Sequence, residues 1–258
     1  MRRLHHDTLD STNAEARRLV ARGVALPVLV TANRQTAGRG RQGRTWQSPR
    51  GGAWMSCVWP TVHPAEHYAA LPLVAALALW RTVRARLDDA ASIDTPPLRI
   101  KWPNDLLVGG GKVAGVLCER EADGACVVIG VGINVNFSAA ELPANVRYPA
   151  VTLRDVLGAA VELDALIADF ADDLAHLLRG FERDGFTAAM RRDVLERLAF
   201  RDEAVELAAA DGRVIAGRIT GIDASGRVLL ATPAGEKGFA VGDVSRYHRS
   251  TEQELNHP

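Results

Sequence analysis

Two rhythms of apolar positions run through the 258-residue chain. Helical spacing appears first in "AEARRLVARG" (14–23). It follows the capping-box spelling Thr12–Asn13–Ala14–Glu15 and is stopped by Gly23. A longer helix is predicted from Ala70 to Leu87, with Pro72 tolerable only in its first turn. Two more are predicted over Leu163–Arg183 and Thr187–Leu198. Short apolar runs between turn residues predict strands at Pro27–Thr31, at Trp54–Trp59 and at "LRIKWPND" (98–105), which ends abruptly at Pro103. "KVAGVLCERE" and "ACVVIGVGINVN" then read as two strands around a hairpin at Ala122–Gly124.

After Ala199 the texture changes. "AVELAAA", "RVIAGRITGID", "RVLLATP" and "KGFAVGDVSRY" are short β-rich pieces parted by Asp211–Gly212, Ser225–Gly226 and Ala234–Gly235. They predict a small barrel or meander, a size that is marginal alone. Strands and helices interspersed without regular βαβ order make the fold class α+β. The expected division is residues 1–198, a small domain over 199–250, and a polar tail over 251–258.

Lys+Arg and Asp+Glu both total 31, so net charge points to no partner. The distribution is uneven. From Ala16 to Ala65 there is no acidic residue, yet eight arginines lie there, among them Arg39, Arg41 and Arg44 set in glycine. Flexible backbone with forked guanidinium groups suits a phosphate or carboxylate. Cys57, Cys118 and Cys126 lack metal-like spacing and read as buried free thiols. No apolar leader and no run of spanning length is present, so the expectation is a cytoplasmic protein with no membrane partner.

Three motifs need a context test. "TAGRGRQGRTW" (36–46) contains the dinucleotide spelling G-x-G-x-x-G, but Pro49, Gly51 and Gly52 break any helix behind it. Without that helix N-terminus the phosphate-binding mechanism is unavailable. "HPAEH" (63–67) is spelled like a zinc signature, yet Pro64 disfavours helical geometry at His63, and no third ligand suggests itself; no metal site is expected. A nucleic-acid-binding protein is the alternative from another class. Aromatics are only 5% of the chain, too sparse for a stacking platform.

Five motifs in order, "LDSTN", "QTAGRGRQGRTW", "IKWPNDLLV", "GKVAGVLCE" and "GVGINVN", resemble the catalytic core of biotin–protein ligases. The resemblance covers roughly residues 5–250 and implies a mixed sheet with helices, like class II synthetases, plus a C-terminal SH3-like barrel. It implies activation of biotin by ATP with Mg²⁺ to biotinyl-5′-AMP. Transfer to a lysine of a biotin carboxyl carrier domain of an acyl-CoA carboxylase would follow. Regulatory members carry an N-terminal helix-turn-helix domain. This chain starts almost on the first motif, so a monofunctional ligase without specific DNA binding is expected, as monomer or weak homodimer.

Residue roles follow by motif. Ser11, Thr12, Asn13 and Gln35 match contacts to the biotin head, while Thr12 also reads as a helix cap. Gly38, Arg39, Gly40 and Arg41 match a mobile loop around the biotin carboxylate and the phosphate. Lys112 matches the lysine that bonds the carboxylate and then the adenylate; its plainer reading is a hairpin surface lysine. Gly115, Val116 and Leu117 match the wall against the biotin rings, and a glycine within a strand marks close approach. Arg44, Trp46, Lys101, Asn104, Gly132, Ile133 and Asn134 match positions around the nucleotide, although Trp46 also reads as core. Asp105 is the candidate for orienting or deprotonating the incoming lysine, with Mg²⁺ binding or loop structure as alternatives.

Two departures stand out. Gln42 occupies a loop position where arginine is common, and Arg246 in "GDVSRYHR" is one place from a common arginine position. The nearest competitor is a lipoate–protein ligase, with the same adenylation logic. The polar Ser11–Thr12–Asn13 set suits a ureido ring better than a dithiolane.

Overall fold

A computed structural model describes residues 1–90, 96–121, 124–142, 148–209 and 211–246. The larger part comprises β1 (Arg2–Leu9), α1 (Thr12–Ala21), β2 (Val28–Gln35), β3 (Ala53–Pro60), α2 (Leu71–Asp89), β4 (Leu98–Lys101), β5 (Asp105–Val108), β6 (Gly111–Arg120) and β7 (Cys126–Ile133). Helices α3 (Leu153–Leu157), α4 (Leu163–Asp184) and α5 (Ala188–Glu196) follow. Seven strands form one sheet in the order β1-β2-β3-β7-β6-β5-β4, parallel only between β1 and β2. The α+β class expected from the sequence is the observed one.

Side-chain alternation sends the two faces of this sheet to two apolar clusters. Val28, Val30, Val58 and Val128 meet Ala16 and Leu19 of α1 on one face. Leu29, Met55, Ile129 and Val131 meet α2 and α4 on the other, through Leu77, Phe170 and Phe181. Burying one face under a single short helix leaves the strand ends around α1 free to form a site.

Strands β8 (Ala204–Ala208), β9 (Val214–Ile222), β10 (Val228–Thr232), β11 (Gly235–Phe239) and β12 (Asp243–Arg246) form a second, antiparallel sheet in the order β11-β10-β9-β8-β12. Its inward residues Val205, Leu207, Ile219 and Val244 belong to the same apolar cluster as α2 and α4. The small sheet thus leans on the large core, which offsets the weakness of a module this size.

Several expectations change in detail. "LRIKWPND" is not one strand: β4 ends at Lys101, and Asp105 already begins β5, which returns antiparallel. The N-cap of α1 is Ser11, without a side-chain capping bond, so the capping box on Thr12 does not form. The Thr12 hydroxyl faces Gln35 instead. "HPAEH" does have a third group nearby, since Glu182 comes within 4.8 Å of both histidines. The ring centres lie 4.2 Å apart with the planes tilted by 32°, and their Nε2 atoms bond the Glu182 and Phe181 carbonyls that end α4. Those bonds satisfy carbonyls of the last turn of α4, so in this structure the histidines act as a helix C-cap. Cys118 is half-buried, whereas Cys57 and Cys126 are buried. Ala122 and Asp123 of the expected hairpin turn, Tyr247 of the last strand piece, and the tail lie outside the described residues. Among the described residues no helix is long and apolar enough to cross a membrane.

The turn between β4 and β5 is pinned across the two sheets. The buried Trp102 Nε1 donates to the Gly226 carbonyl at 3.0 Å. Trp102→Phe keeps most of the packing but leaves that carbonyl unpaired, so it should cost about 1–3 kcal/mol. Denaturant unfolding with an unchanged midpoint would contradict this coupling.

Candidate active site

The ends of β2, β5, β6 and β7, the first turn of α1 and the 36–47 loop enclose a cavity of about 370 Å³. Eighteen of the predicted site residues line it; Gly38 and Ile133 do not. Gly38 is tight against backbone, since a Cβ there would meet the Trp46 carbonyl oxygen at 2.3 Å. Ile133 is buried in the core.

One end of the cavity is neutral and polar. Thr12 N donates to Gln35 Oε1 at 2.7 Å, and Gln35 Nε2 donates to Ser48 Oγ at 2.8 Å. Asn13 and Ser56 bond behind them at 2.5 Å. Ser11, Thr12 and Asn13 sit there because α1 starts at Thr12, and its first turn is stapled from outside. Arg18 donates to both Asp10 oxygens at 2.9 and 2.7 Å and to Glu15 at 2.7 Å.

The other end is cationic. Lys112 Nζ lies 2.7 Å from Asp105 Oδ1, an ion pair whose angles fall short of a hydrogen bond. Lys101, only 2% exposed, pairs with Asp243 of β12 and lies 3.8 Å from Asp105. Arg41 reaches inward and donates to Asn104 Oδ1 at 3.1 Å. Burial pushes its guanidinium below the usual value and Arg44 adds to this, while Asp105 and Asp243 oppose it. A half-buried guanidinium short of carboxylate partners is a receptor for an anion.

Trp46 divides the two ends. Its ring lies on the strand glycines: a Cβ would come within 3.1 Å of it at Gly115 and 2.5 Å at Gly132. Lys112 Nζ stands over the ring at 4.9 Å. The strand glycines therefore make room for an indole, and Trp46 is not ordinary core. Its Nε1 is buried without a partner among the described residues. The loop between Gly38 and Trp46 holds one 3-10 turn over Arg41–Gly43 and no α-helix, as the context test requires.

Sequence reasoning missed Ser56, Glu119, Tyr148 and Asp243. Ser56 is a single polar residue within the apolar strand β3, a contrast that was the available signal; Glu119 shares β6 with Lys112 and Arg120 and offers none. Tyr148, with Lys101 Nζ 4.7 Å from its ring, and Asp243 reach the cavity only through tertiary packing.

Comparison with known proteins agrees with this geometry. Residues 8–134 match the Biotin/lipoate A/B protein ligase family, and residues 202–247 match the Biotin protein ligase C terminal domain. The biotin–[acetyl-CoA-carboxylase] ligase of Paracoccus denitrificans is 36% identical over 91% of this chain and 96% of its own length. The chain belongs to the biotin protein ligase family. The bifunctional ligase/repressor BirA of Bacillus subtilis is 32% identical over 93% of this chain and 73% of its own. The biotin protein ligase from Aquifex aeolicus in complex with biotin and ATP superposes with a TM-score of 0.79 at 28% identity, covering 95% of this chain and 97% of that one.

Two outcomes follow from the site's supports. Gly132→Ala should displace Trp46 and weaken ligand binding at least tenfold, corresponding to about 1.4 kcal/mol or more, and calorimetry with wild-type affinity would contradict it. The bond from Arg18 holds the Asp10 carboxyl at about 2, below its unfolded value. This stabilisation is complete above ~pH 5 and is lost as pH falls through about 2. Because the pair is half-exposed, Arg18→Ala should cost up to ~1 kcal/mol at neutral pH. That difference from wild type should vanish toward pH 2 in acid unfolding; a difference that persists there would contradict the assignment.

Proposed function

We propose that this chain is an ATP-dependent ligase that joins biotin to a lysine of a biotin carboxyl carrier domain. The observation that carries the reading is the cavity's polarity, neutral amides and hydroxyls at one end and Lys112, Arg41 and Lys101 at the other. The proposal includes residues 1–198 as the catalytic unit and 199–250 as a C-terminal unit that completes it through Asp243.

In the first step a biotin carboxylate oxygen attacks the α-phosphate of ATP. An acyl C–O–P linkage forms, and the bond to pyrophosphate breaks. Lys112 and Arg41 stabilise charge growing on the phosphate oxygens, in a half-buried place where such contacts are strong. Ser11, Thr12, Asn13 and Gln35 hold the head, and Trp46 separates head from nucleotide. In the second step the acceptor amine attacks the acyl carbon, AMP leaves, and the amine gives up its proton. Asp105 orients that amine, a role supported by its pairing with one ammonium group already, that of Lys112. Asp105 and Asp243, the carboxylates lining the cavity among the described residues, are both tied to lysines. The donor set does not fit a protein-held Mg²⁺, so no step is assigned to one.

Labelled biotin, ATP and a carrier domain test the reading directly: label should reach the carrier lysine. Absence of label on every carrier offered would overturn it. Lys112→Ala should depress adenylate formation at least tenfold while barely changing stability, because a charge-assisted contact is worth roughly 1.5–3 kcal/mol. Full activity with a lowered melting temperature would return Lys112 to a structural role. Arg41→Gly should release the adenylate about tenfold or more faster, since lost contacts appear mainly in the off-rate. The variant should then biotinylate bystander proteins. Retention of the adenylate as long as in the wild type would show that this loop is not the lid.

A further inference from the structure

Behind the polar end of the cavity runs a chain of hydrogen bonds whose direction is fixed at one terminus. Asn13 Nδ2 donates to Glu119 Oε2 at 2.7 Å. Glu119 is also met by Arg17 at 3.2 Å and by Arg39 at 3.3 Å. A carboxylate with two guanidinium partners only accepts, so it dictates which way the Asn13 amide faces. Asn13 Oδ1 must then accept, and the buried Ser56 Oγ supplies the proton at 2.5 Å. Ser56 has only one hydroxyl hydrogen. Its 2.8 Å contact with Thr12 Oγ1 is then left to the single Thr12 hydrogen, for which Gln35 Oε1 competes at 3.1 Å. The donors run one way, from Ser56 through Asn13 to Glu119, with Thr12 resting on Ser56. Gly130 makes this possible, because a Cβ there would meet Asn13 Oδ1 at 2.2 Å.

We infer that Glu119, which does not itself line the cavity, is a positioning residue for substrate recognition. It sets the polarity of the hydrogen-bond chain beneath Thr12 and Asn13. Through Arg39 the same carboxylate ties the glycine–arginine loop to β6. Arg39 and Arg41 thus divide their work, one anchoring the loop at the rim and one facing the anion inside. The inference rests on the proposed biotin ligation but is separable from it, since the chain exists without ligand.

The test exchanges donor and acceptor. Glu119→Gln removes the acceptor-only terminus and lets the Asn13 amide reverse. Asn13→Asp sets two carboxylates against each other. The double variant, Asn13→Asp with Glu119→Gln, restores a donor–acceptor pair, keeps the acceptor for Ser56 and conserves net charge. Each single change should raise KM for biotin about tenfold, the scale of one charge-assisted bond, with kcat for adenylation little changed. The double variant should return to within about threefold of wild type, the non-additivity expected of a contacting pair. Melting temperature of the ligand-free proteins should show the same loss and rescue. A double variant no better than the worse single, in KM and in melting temperature, would overturn the inference. So would a wild-type KM in Glu119→Gln. If the wild type does not activate biotin, the functional reading falls, and rescue of melting temperature alone decides the hydrogen-bond chain.

Discussion

The structure depends on how a single buried ammonium group is neutralised. Lys101, almost wholly out of water, ends β4 where the large sheet meets the small one. An unpaired charge there would cost several kcal/mol, so carboxylates must be brought to it. Asp243 arrives from β12 and Asp105 from the start of β5. Asp105 in turn holds Lys112 on β6, giving an alternating ladder that crosses from one sheet to the other. The ladder explains why the small sheet is docked rather than tethered, and why the β4–β5 turn is held by Trp102 as well. It also leaves the cavity with more guanidinium and ammonium groups than carboxylates.

That surplus sits opposite a neutral, directionally bonded end, and Trp46 lies between. Such a cavity separates two tasks. Recognition of an uncharged polar head needs fixed donors and acceptors, which amides locked by neighbours provide. Stabilising growing negative charge needs cations partly withdrawn from water. Placing both on the ends of rigid strands keeps their spacing constant.

Much of this was legible in the sequence, and the reasons differ by element. The helices beginning near Ala70 and Leu163 carry apolar periodicity, and the strands at Trp54–Trp59 and 125–136 are apolar runs interrupted only by Ser56, Asn134 and Asn136. The glycine–arginine segment was separable from a dinucleotide fingerprint because helix breakers follow it. β1 was not legible: "RRLHHDTL" is an edge strand, half in water, with only two aliphatic side chains. β5 was hidden because "DLLV" is fully buried and too short to show a period. Thr12 looked like a cap because the spelling is local, whereas its actual partner, Gln35, lies 23 residues away. Glu119 and Asp243 gain their meaning from packing between distant segments, which no local spacing encodes.

The central claim is that the cationic end of this cavity activates the carboxylate of a ligand whose head the neutral end selects. Exchange of labelled pyrophosphate into ATP isolates that step without any acceptor protein. The account predicts exchange that requires biotin, and much slower exchange when lipoate replaces it. Exchange that proceeds without biotin, or equally well with lipoate, would contradict the account.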